Sequence, residues 1–545
     1  MTFREIAVSL LAVVNPFPEW PGLAAILIAA VALPAMRAAL DGGPRSIPRW
    51  AMRAGAACVV VLALVQFSFV ALYLFYPTYL IDTEAAVAEI AWLGWNGGAY
   101  YPPIGAGDVY GLPYGPVLFQ AVGAFLWALG PSVVASKLVG ILAFPATTLL
   151  TLLLARRAGA SRAEAVAVAG IQCLVLAGFG QGQYAFASRG DIPLTLVAAA
   201  ALVAATGRPS ASNAIWIGLL AGIATNLKIH GAVYVLPSLA LILSRAETSP
   251  ARARLAAIAG AAALVASVLP FASGGVSTRA YSIQLLTALH EGGTAERIAQ
   301  NLVLAAMLAG PSVWILCTQP LVLPRRLLWF LGTTAAAVAI GAAVGSIHGY
   351  HHLLPFLPPL CWTFLRLDRL ARDAGAGDRL RVGKLALLAS FLLGFTPLIL
   401  REWGHTATVY LEAPQVRAAV AEVEAAIAAN PGLKIAVGPG DGPGFDVMLL
   451  RVIPVFRGNP MPLDPTTWEF LQSTGASEAE IVPAIRGCRV DLWLFARDAA
   501  FVATNYQTLT PMFSDETRTI FRAAYRRDHA GEVFEQWRCR HRAGG

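Results

Sequence analysis

The stretch FYPTYLIDTEAAVAEIAWLGWNGGAYYPP, Phe75–Pro103, ends a long apolar run and places a carboxylate, Asp82, at the first step out of it. The segment Glu84–Gly97 has helical character and carries Trp92 and Trp95 on neighbouring positions, as suits a helix lying in a membrane–water interface. Glu84 and Glu89 read as its solvated side. The Tyr-, Pro- and Gly-rich run Tyr100–Tyr114 reads as an ordered loop of the kind that shapes a cavity mouth. A carboxylate at the foot of such a loop is either a marker of the span end or a group that takes a proton from a hydroxyl.

The rest of the chain supplies the setting. Its 545 residues are 57% hydrophobic and 13% charged, where a soluble domain carries about 25% charged residues. Mean hydropathy is +0.62. From Pro21 to Leu400, apolar runs of membrane-spanning length alternate with short, often basic connectors. Candidate spans are 22–39, 55–80, 132–155, 163–181, 192–207, 213–228, 230–246, 253–272, 299–322, 327–346, 350–366 and 383–400, with a further apolar helix at 115–129. The pattern predicts a polytopic α-helical membrane protein of about 11–13 transmembrane helices with a small C-terminal α/β domain. Three parts are expected: an N-terminal membrane segment and basic linker (1–54), a transmembrane domain (55–400) and a soluble domain (401–545). The first apolar run, Ile6–Val14, reads as an anchor or surface helix.

Charge sets the orientation. The net charge of +8 divides unevenly, with 14 Lys and Arg against 17 Asp and Glu from Glu402 onward. The positive-inside rule explains the basic excess of the membrane part without nucleic acid. Six connectors, containing among others Arg37, Arg156, Arg208, Arg245, Arg326 and Arg372, hold 19 of its 26 basic residues. All are cytoplasmic if the 115–129 helix is re-entrant or lies at the outer surface. The opposite face then collects Asp82, Asp108, Asp191, Lys228, Arg279 and His348–His352, together with the soluble domain. The Arg-over-Lys preference suits a GC-rich, bacterial source, and the expected location is the cytoplasmic (inner) membrane with the C-terminal domain outside.

Several of these residues carry chemistry. In SRGDIPLTL, Arg189 and Asp191 precede a new span, either as a helix-capping pair or as a second carboxylate beside Asp82. In GLLAGIATNLKIHG, Lys228 is an intramembrane-edge cation, for which an anionic partner such as phosphate is expected. His348, His351 and His352 suit hydrogen bonding to phosphate or sugar better than metal binding: His348 and His352 form an i, i+4 pair with no acidic third ligand nearby. Arg279, Glu291, Glu296 and Arg297 lie in an outer loop. No cofactor is expected, and a divalent metal stays open. In the tail, KIAVGPGDGPG lacks the Walker Lys-Ser/Thr and reads as a strand and turn. Helices are expected at Gln415–Ala429 and Ser514–Tyr525, and strands at Lys434–Val437, Val490–Phe495 and Val533–Trp537. Cys488 and Cys539 pair if the tail faces an oxidising compartment and lie free otherwise.

In order along the chain, IDTE with Asp82, YGPVLF with Tyr114, GPSVVASKLVGILAF with Lys137, SRGDIPLTL, GLLAGIATNLKIHG and YHHLLPFLPPL resemble the corresponding stretches of the GT-C glycosyltransferases. These are polytopic enzymes that use polyprenyl-phosphate sugars, among them protein O-mannosyltransferases, aminoarabinose transferases and lipopolysaccharide-core sugar transferases. The resemblance covers Ala56 to Leu400, and Asp-Thr-Glu stands where the family commonly has Asp-Glu. It implies inverting transfer from a polyprenyl-phosphate sugar to a hydroxyl of a glycolipid, glycan or protein at the outer membrane face. Asp82 would be the general base. Lys228, with Arg279 or His351, would hold the leaving phosphate, and Asp191, Arg189, His348, His352 and Tyr114 would bind substrate. Two other readings remain: a transporter or flippase of a lipid-linked sugar, which should carry its charges near mid-span, and a non-catalytic scaffold.

Overall fold

The computed structural model describes residues 49–103, 108–178, 185–272, 276–290, 295–343, 349–440, 446–473, 475–505 and 509–541. The expected span at 22–39 and the run Ile6–Val14 lie outside them. The membrane part is a helical bundle built from α1 (Arg49–Leu74), α2 (Asp82–Trp95), α3 (Pro116–Leu129), α4 (Val133–Arg157), α5 (Arg162–Gly178), α6 (Asp191–Ala205), α7 (Ala211–Leu227), α8 (Leu236–Ser244), α9 (Ser249–Val268), α10 (Thr278–His290), α11 (Ala295–Thr318), α12 (Arg325–Ala343), α13 (Leu357–Asp373) and α14 (Gly377–Leu411). Among the described residues, five segments are long and apolar enough to cross a membrane: Arg53–Leu74, Val133–Arg157, Ser249–Ala272, Asn301–Thr318 and Arg325–Ala343. Other expected spans appear as shorter apolar helices, including α6 and α7. The chain is a multi-pass α-helical membrane protein with a small mixed domain at its C-terminus.

Local chemistry explains the interruptions. Ser132, Ser210 and Thr248 cap α4, α7 and α9, each accepting a backbone N–H from the first turn. The run expected as one span at 230–246 divides into a 3₁₀ turn, Gly231–Tyr234, and α8, whose first turn holds Pro237. The run at 350–366 divides in the same way, into a 3₁₀ segment, Gly349–Phe356, and α13. Small residues let helices touch in a medium where lipid offers no hydrophobic drive for association. A Cβ on Gly218 of α7 would stand 2.2 Å from the Ala259 carbonyl of α9, and one on Gly222 would stand 2.5 Å from that of Ala263.

α2 is no surface helix. Its residues Glu84–Ala91 are all buried, wedged between the bundle and the C-terminal domain. α14 passes residue 400 without a break, and the Trp403 indole N–H donates to Gln66 Oε1 of α1 at 2.8 Å. α15 (Ala413–Ala429) then leads into a four-stranded sheet of β1 (Ile435–Val437), β2 (Leu492–Ala496), β3 (Tyr525–Ala530) and β4 (Phe534–Cys539). The strand order is β1-β2-β4-β3, with β1 and β2 parallel and the remaining pairs antiparallel. The helix Asp515–Ala524 precedes β3, a strand that the sequence pattern does not announce. Cys488 and Cys539 form a disulfide with a Cα–Cα distance of 5.8 Å. The loop between α2 and α3 joins this domain: Val109 sits in its apolar core, Val109 N donates to the Pro462 carbonyl, and Asp464 N donates to the Val109 carbonyl.

Candidate active site

Two buried ionic clusters lie at one end of the bundle. The first surrounds Asp82, the opening residue of α2. Asp82 Oδ1 accepts the Thr83 N–H at 2.7 Å, and Oδ2 accepts the Thr466 hydroxyl at 3.2 Å. Its carbonyl accepts Arg451 Nη2 at 3.1 Å. Arg451, nearly fully buried, also donates to Asp464 Oδ1 at 2.9 Å and to the Met448 carbonyl at 2.8 Å, and its Nε stands 3.3 Å from Glu89 Oε2. One guanidinium thus serves two carboxylates that are completely enclosed. Burial pushes the Glu89 carboxyl up to about 8, against the pull of Arg451 and with the help of neighbouring Asp464.

Glu84 overturns the solvated reading as fully as Glu89 does. Its side chain is completely buried, with one oxygen accepting the Tyr73 hydroxyl and the other accepting the Ser188 N–H at 2.7 Å. Burial raises its pKa, and the nearby cations Lys137 and Arg189 work in the opposite direction. Lys137 donates to the carbonyls of Tyr73 (3.0 Å) and Tyr76 (2.8 Å), with its ammonium 4.0 Å from the centre of the Tyr73 ring. It therefore closes the end of α1.

The Ser188 bond leads to the second cluster. A Cβ on Gly140 of α4 would fall 2.3 Å from the Phe186 carbonyl, so only glycine lets this loop settle on the helix. The loop presents Arg189 and Asp191 side by side. Lys228, at the end of α7, places Nζ 2.5 Å from Asp191 Oδ1. Arg189 Nε stands 3.3 Å from Asp191 Oδ2, and His351 Nε2 stands 3.9 Å from Oδ1. His352 Nδ1 and His230 Nε2 are 3.2 Å apart, and the Tyr234 hydroxyl donates to the His352 carbonyl at 2.8 Å. Tyr114 lies against the same group: a Cβ on Gly190 would meet both Lys228 Cγ and Tyr114 Cδ1 at 3.4 Å.

The structure therefore gathers Arg189, Asp191, Lys228, His351, His352 and Tyr114, and it ties them to the Asp82 helix through Glu84. Lys228 meets its anionic partner inside the protein, in Asp191. Arg279 stands apart, exposed on α10 and outside these ion pairs. His348 and Glu291 lie outside the described residues, as do the side chains of Glu296 and Arg297. Among the described residues, no three His, Cys, Asp or Glu side chains converge as a metal-holding set. Sequence reasoning missed Arg451, Asp464 and Thr466. The available signal was an arginine inside the apolar run VMLLRVIPVF, Val447–Phe456.

No protein-family model matches the chain, and no curated protein matches it in sequence. Solved structures do match. ArnT from Cupriavidus metallidurans bound to undecaprenyl phosphate superposes with a TM-score of 0.54 at 15% identity, covering 88% of this chain and 97% of ArnT. The apo state of the same protein gives 0.53, covering 89% and 98%. An oligosaccharyltransferase from Archaeoglobus fulgidus aligns at a TM-score of 0.40 and 13% identity, covering 86% of this chain and 71% of the other, which adds nothing to the fold assignment. At 15% identity the similarity concerns architecture, and in architecture the chain has the ArnT fold over nearly its full length.

Proposed function

We propose that this chain is a GT-C-type membrane glycosyltransferase. It moves a sugar from a polyprenyl-phosphate donor to a hydroxyl of a glycolipid, glycan or protein, at the outer face of the bacterial cytoplasmic membrane. The observation that carries this reading is the pairing of a partly exposed carboxylate, Asp82, with a cation-rich cluster around Lys228, bridged by Glu84 in a fold shared with a protein that binds undecaprenyl phosphate. The disulfide supports an oxidising compartment for the C-terminal domain.

The acceptor hydroxyl attacks the anomeric carbon from the face opposite the phosphate, and the bond from that carbon to the phosphate oxygen breaks with inversion. Asp82 takes the hydroxyl proton. Its remaining lone pairs suit this role because Thr83 and Thr466 fix the carboxylate without neutralising it. Negative charge grows on the departing phosphate, and Arg189 and Lys228 stabilise it. Asp191 pairs with both cations and holds their side chains fixed. His351 and Tyr114 offer hydrogen bonds to phosphate or sugar beside them. Arg451 orients Asp82 from the tail.

The decisive experiment is transfer of labelled sugar from polyprenyl phosphates to membrane glycolipids by the purified protein. The wild type should transfer, and Asp82→Asn should lose nearly all turnover while retaining its melting temperature. Undiminished transfer by Asp82→Asn would remove Asp82 as base. Movement of lipid-linked sugar across vesicles without transfer would replace the enzyme by a transporter.

A further inference from the structure

α6, α8 and α13 each have a second end. Asp191 opens α6, and Val203–Thr206 close it 15 residues later, about 22 Å away. At that far end lies a cavity of about 190 Å³ lined by Arg157, Arg245, Arg326 and Arg366, with Thr206 and Trp362 among its other walls. An engineered cavity of about 150 Å³ admits benzene, so a phosphate group is within its capacity.

Arginines dominate the charge of this cavity, with Asp373 acting attractively on Arg366 from outside its walls. Elsewhere on the same face, cations meet carboxylates. Arg372 lies 2.9 Å from Asp368 and 3.3 Å from Glu164, Lys384 lies 2.7 Å from Asp368, and Arg369 lies 3.1 Å from Asp373. Among the described residues, no ion pair involves any of the four cavity arginines, and no carboxylate lines the cavity. Two of the four hold the backbone together, since Arg157 donates to the Val203 carbonyl and the Thr206 hydroxyl, and Arg245 donates to the Ala205 carbonyl, closing the end of α6. Among the described residues, Arg326 and Arg366 have no such bond, and the charge of Arg326 acts repulsively on both Arg245 and Arg366. Orienting a chain by the positive-inside rule needs arginines in connectors, but it does not need four of them to converge on one hollow.

We infer that this cavity is a binding site for a phosphate group, distinct from the proposed catalytic cluster and at the opposite end of the same helices. Guanidinium forks are suited to phosphate, and an anion between them would relieve their mutual repulsion. The phosphate could belong to a lipid headgroup or be free in solution, and the experiment separates the two.

The delipidated protein is titrated in phosphatidylcholine nanodiscs with increasing phosphatidylglycerol, and separately in detergent with inorganic phosphate. Melting temperature and, for the lipid, native mass spectrometry report binding. Arg326→Gln/Arg366→Gln should raise the half-saturating concentration about tenfold or more. Arg208→Gln/Arg254→Gln removes the same charge from the same face outside the cavity and should change it less than twofold. Arg326→Lys/Arg366→Lys keeps the orienting charge and should still bind more weakly than wild type, which excludes a topology defect as the cause. Saturation by phosphatidylglycerol alone assigns a headgroup, and saturation by inorganic phosphate assigns a soluble ligand. The proposal falls if neither probe binds the wild type, or if the two Gln pairs lose binding equally.

Discussion

The two ionic clusters at one end of the bundle differ in which kind of group is in the majority. Around Arg451, one guanidinium faces two enclosed carboxylates, Glu89 and Asp464. Around Asp191, one carboxylate faces Lys228 and Arg189. The first cluster joins α2 to the C-terminal domain and holds Asp82 by its carbonyl. The second joins three segments of the bundle. An acid-rich cluster beneath the proposed base and a cation-rich cluster at the proposed leaving group divide the two tasks of the proposed reaction between the two ends of the site. This division also makes the C-terminal domain more than a cover, since its Arg451 and Thr466 touch Asp82 directly.

Substitutions break the comparison at chosen points. Asp82→Asn should lower turnover by about 10²- to 10⁴-fold, the range for a general base, with little change in melting. Measured kcat against acceptor concentration checks this. Next in size, Arg451→Met leaves two buried carboxylates without their cation and should cost about 3–5 kcal/mol in detergent-solubilised unfolding. Adding Glu89→Gln and Asp464→Asn to that variant should recover a large part of the loss, because the uncompensated charge is then gone. Failure of that rescue would mean that Arg451 acts through packing and not through charge. Asp191→Asn, by contrast, removes the carboxylate that Lys228 and Arg189 share and should lose stability at low salt chiefly where phosphate is absent. Added polyprenyl phosphate should restore it if the second cluster is the phosphate end.

The two clusters were not equally legible in the sequence. Asp191 and Lys228 stand at span ends, where a charge surrounded by apolar residues needs a partner, so each announces itself locally. Glu84 and Glu89 sit in an alanine-rich helix beside tryptophans, a pattern that fits an interfacial helix equally well. The groups that bury them come from far along the chain: Ser188 lies 104 residues from Glu84, and Arg451 lies 369 residues from Asp82. No local pattern encodes such a contact. The apolar runs revealed the bundle for the same local reason, because lipid imposes composition residue by residue. Helix lengths were less visible, because breaks at Pro237 and Pro358 follow from backbone geometry within runs that stay uniformly apolar.

A smaller effect tests where the C-terminal domain resides. Cys488→Ser should destabilise the domain by about 2–4 kcal/mol, read from the midpoint of its unfolding. Alkylation of intact cells before lysis should find both thiols blocked already if the domain lies outside the cytoplasmic membrane. Free thiols there would move the domain, and with it the orientation of the whole bundle, to the reducing side.

The gentlest probe is pH, read at Glu89 of the acid-rich cluster by comparison with a variant that cannot titrate there. Glu89 has its carboxyl pushed up to about 8 by burial, from an ordinary value near 4.5. The folded protein therefore holds a proton on Glu89 where the unfolded chain has released it. The stability this contributes is complete below the unfolded value and is lost as pH rises through about 8. Between about pH 5 and 8 the wild type should melt progressively lower, with a slope of at most about 1.4 kcal/mol per pH unit from this group, levelling off above 8. Glu89→Gln keeps the neutral shape and cannot titrate, so its melting curve should be flatter across that window while its contacts with Arg451 are largely kept. A variant as steep as the wild type would show that Arg451 holds Glu89 ionised throughout. Both carboxylates would then be charged against one guanidinium, and the two clusters would differ in charge by still more than the protonated state allows.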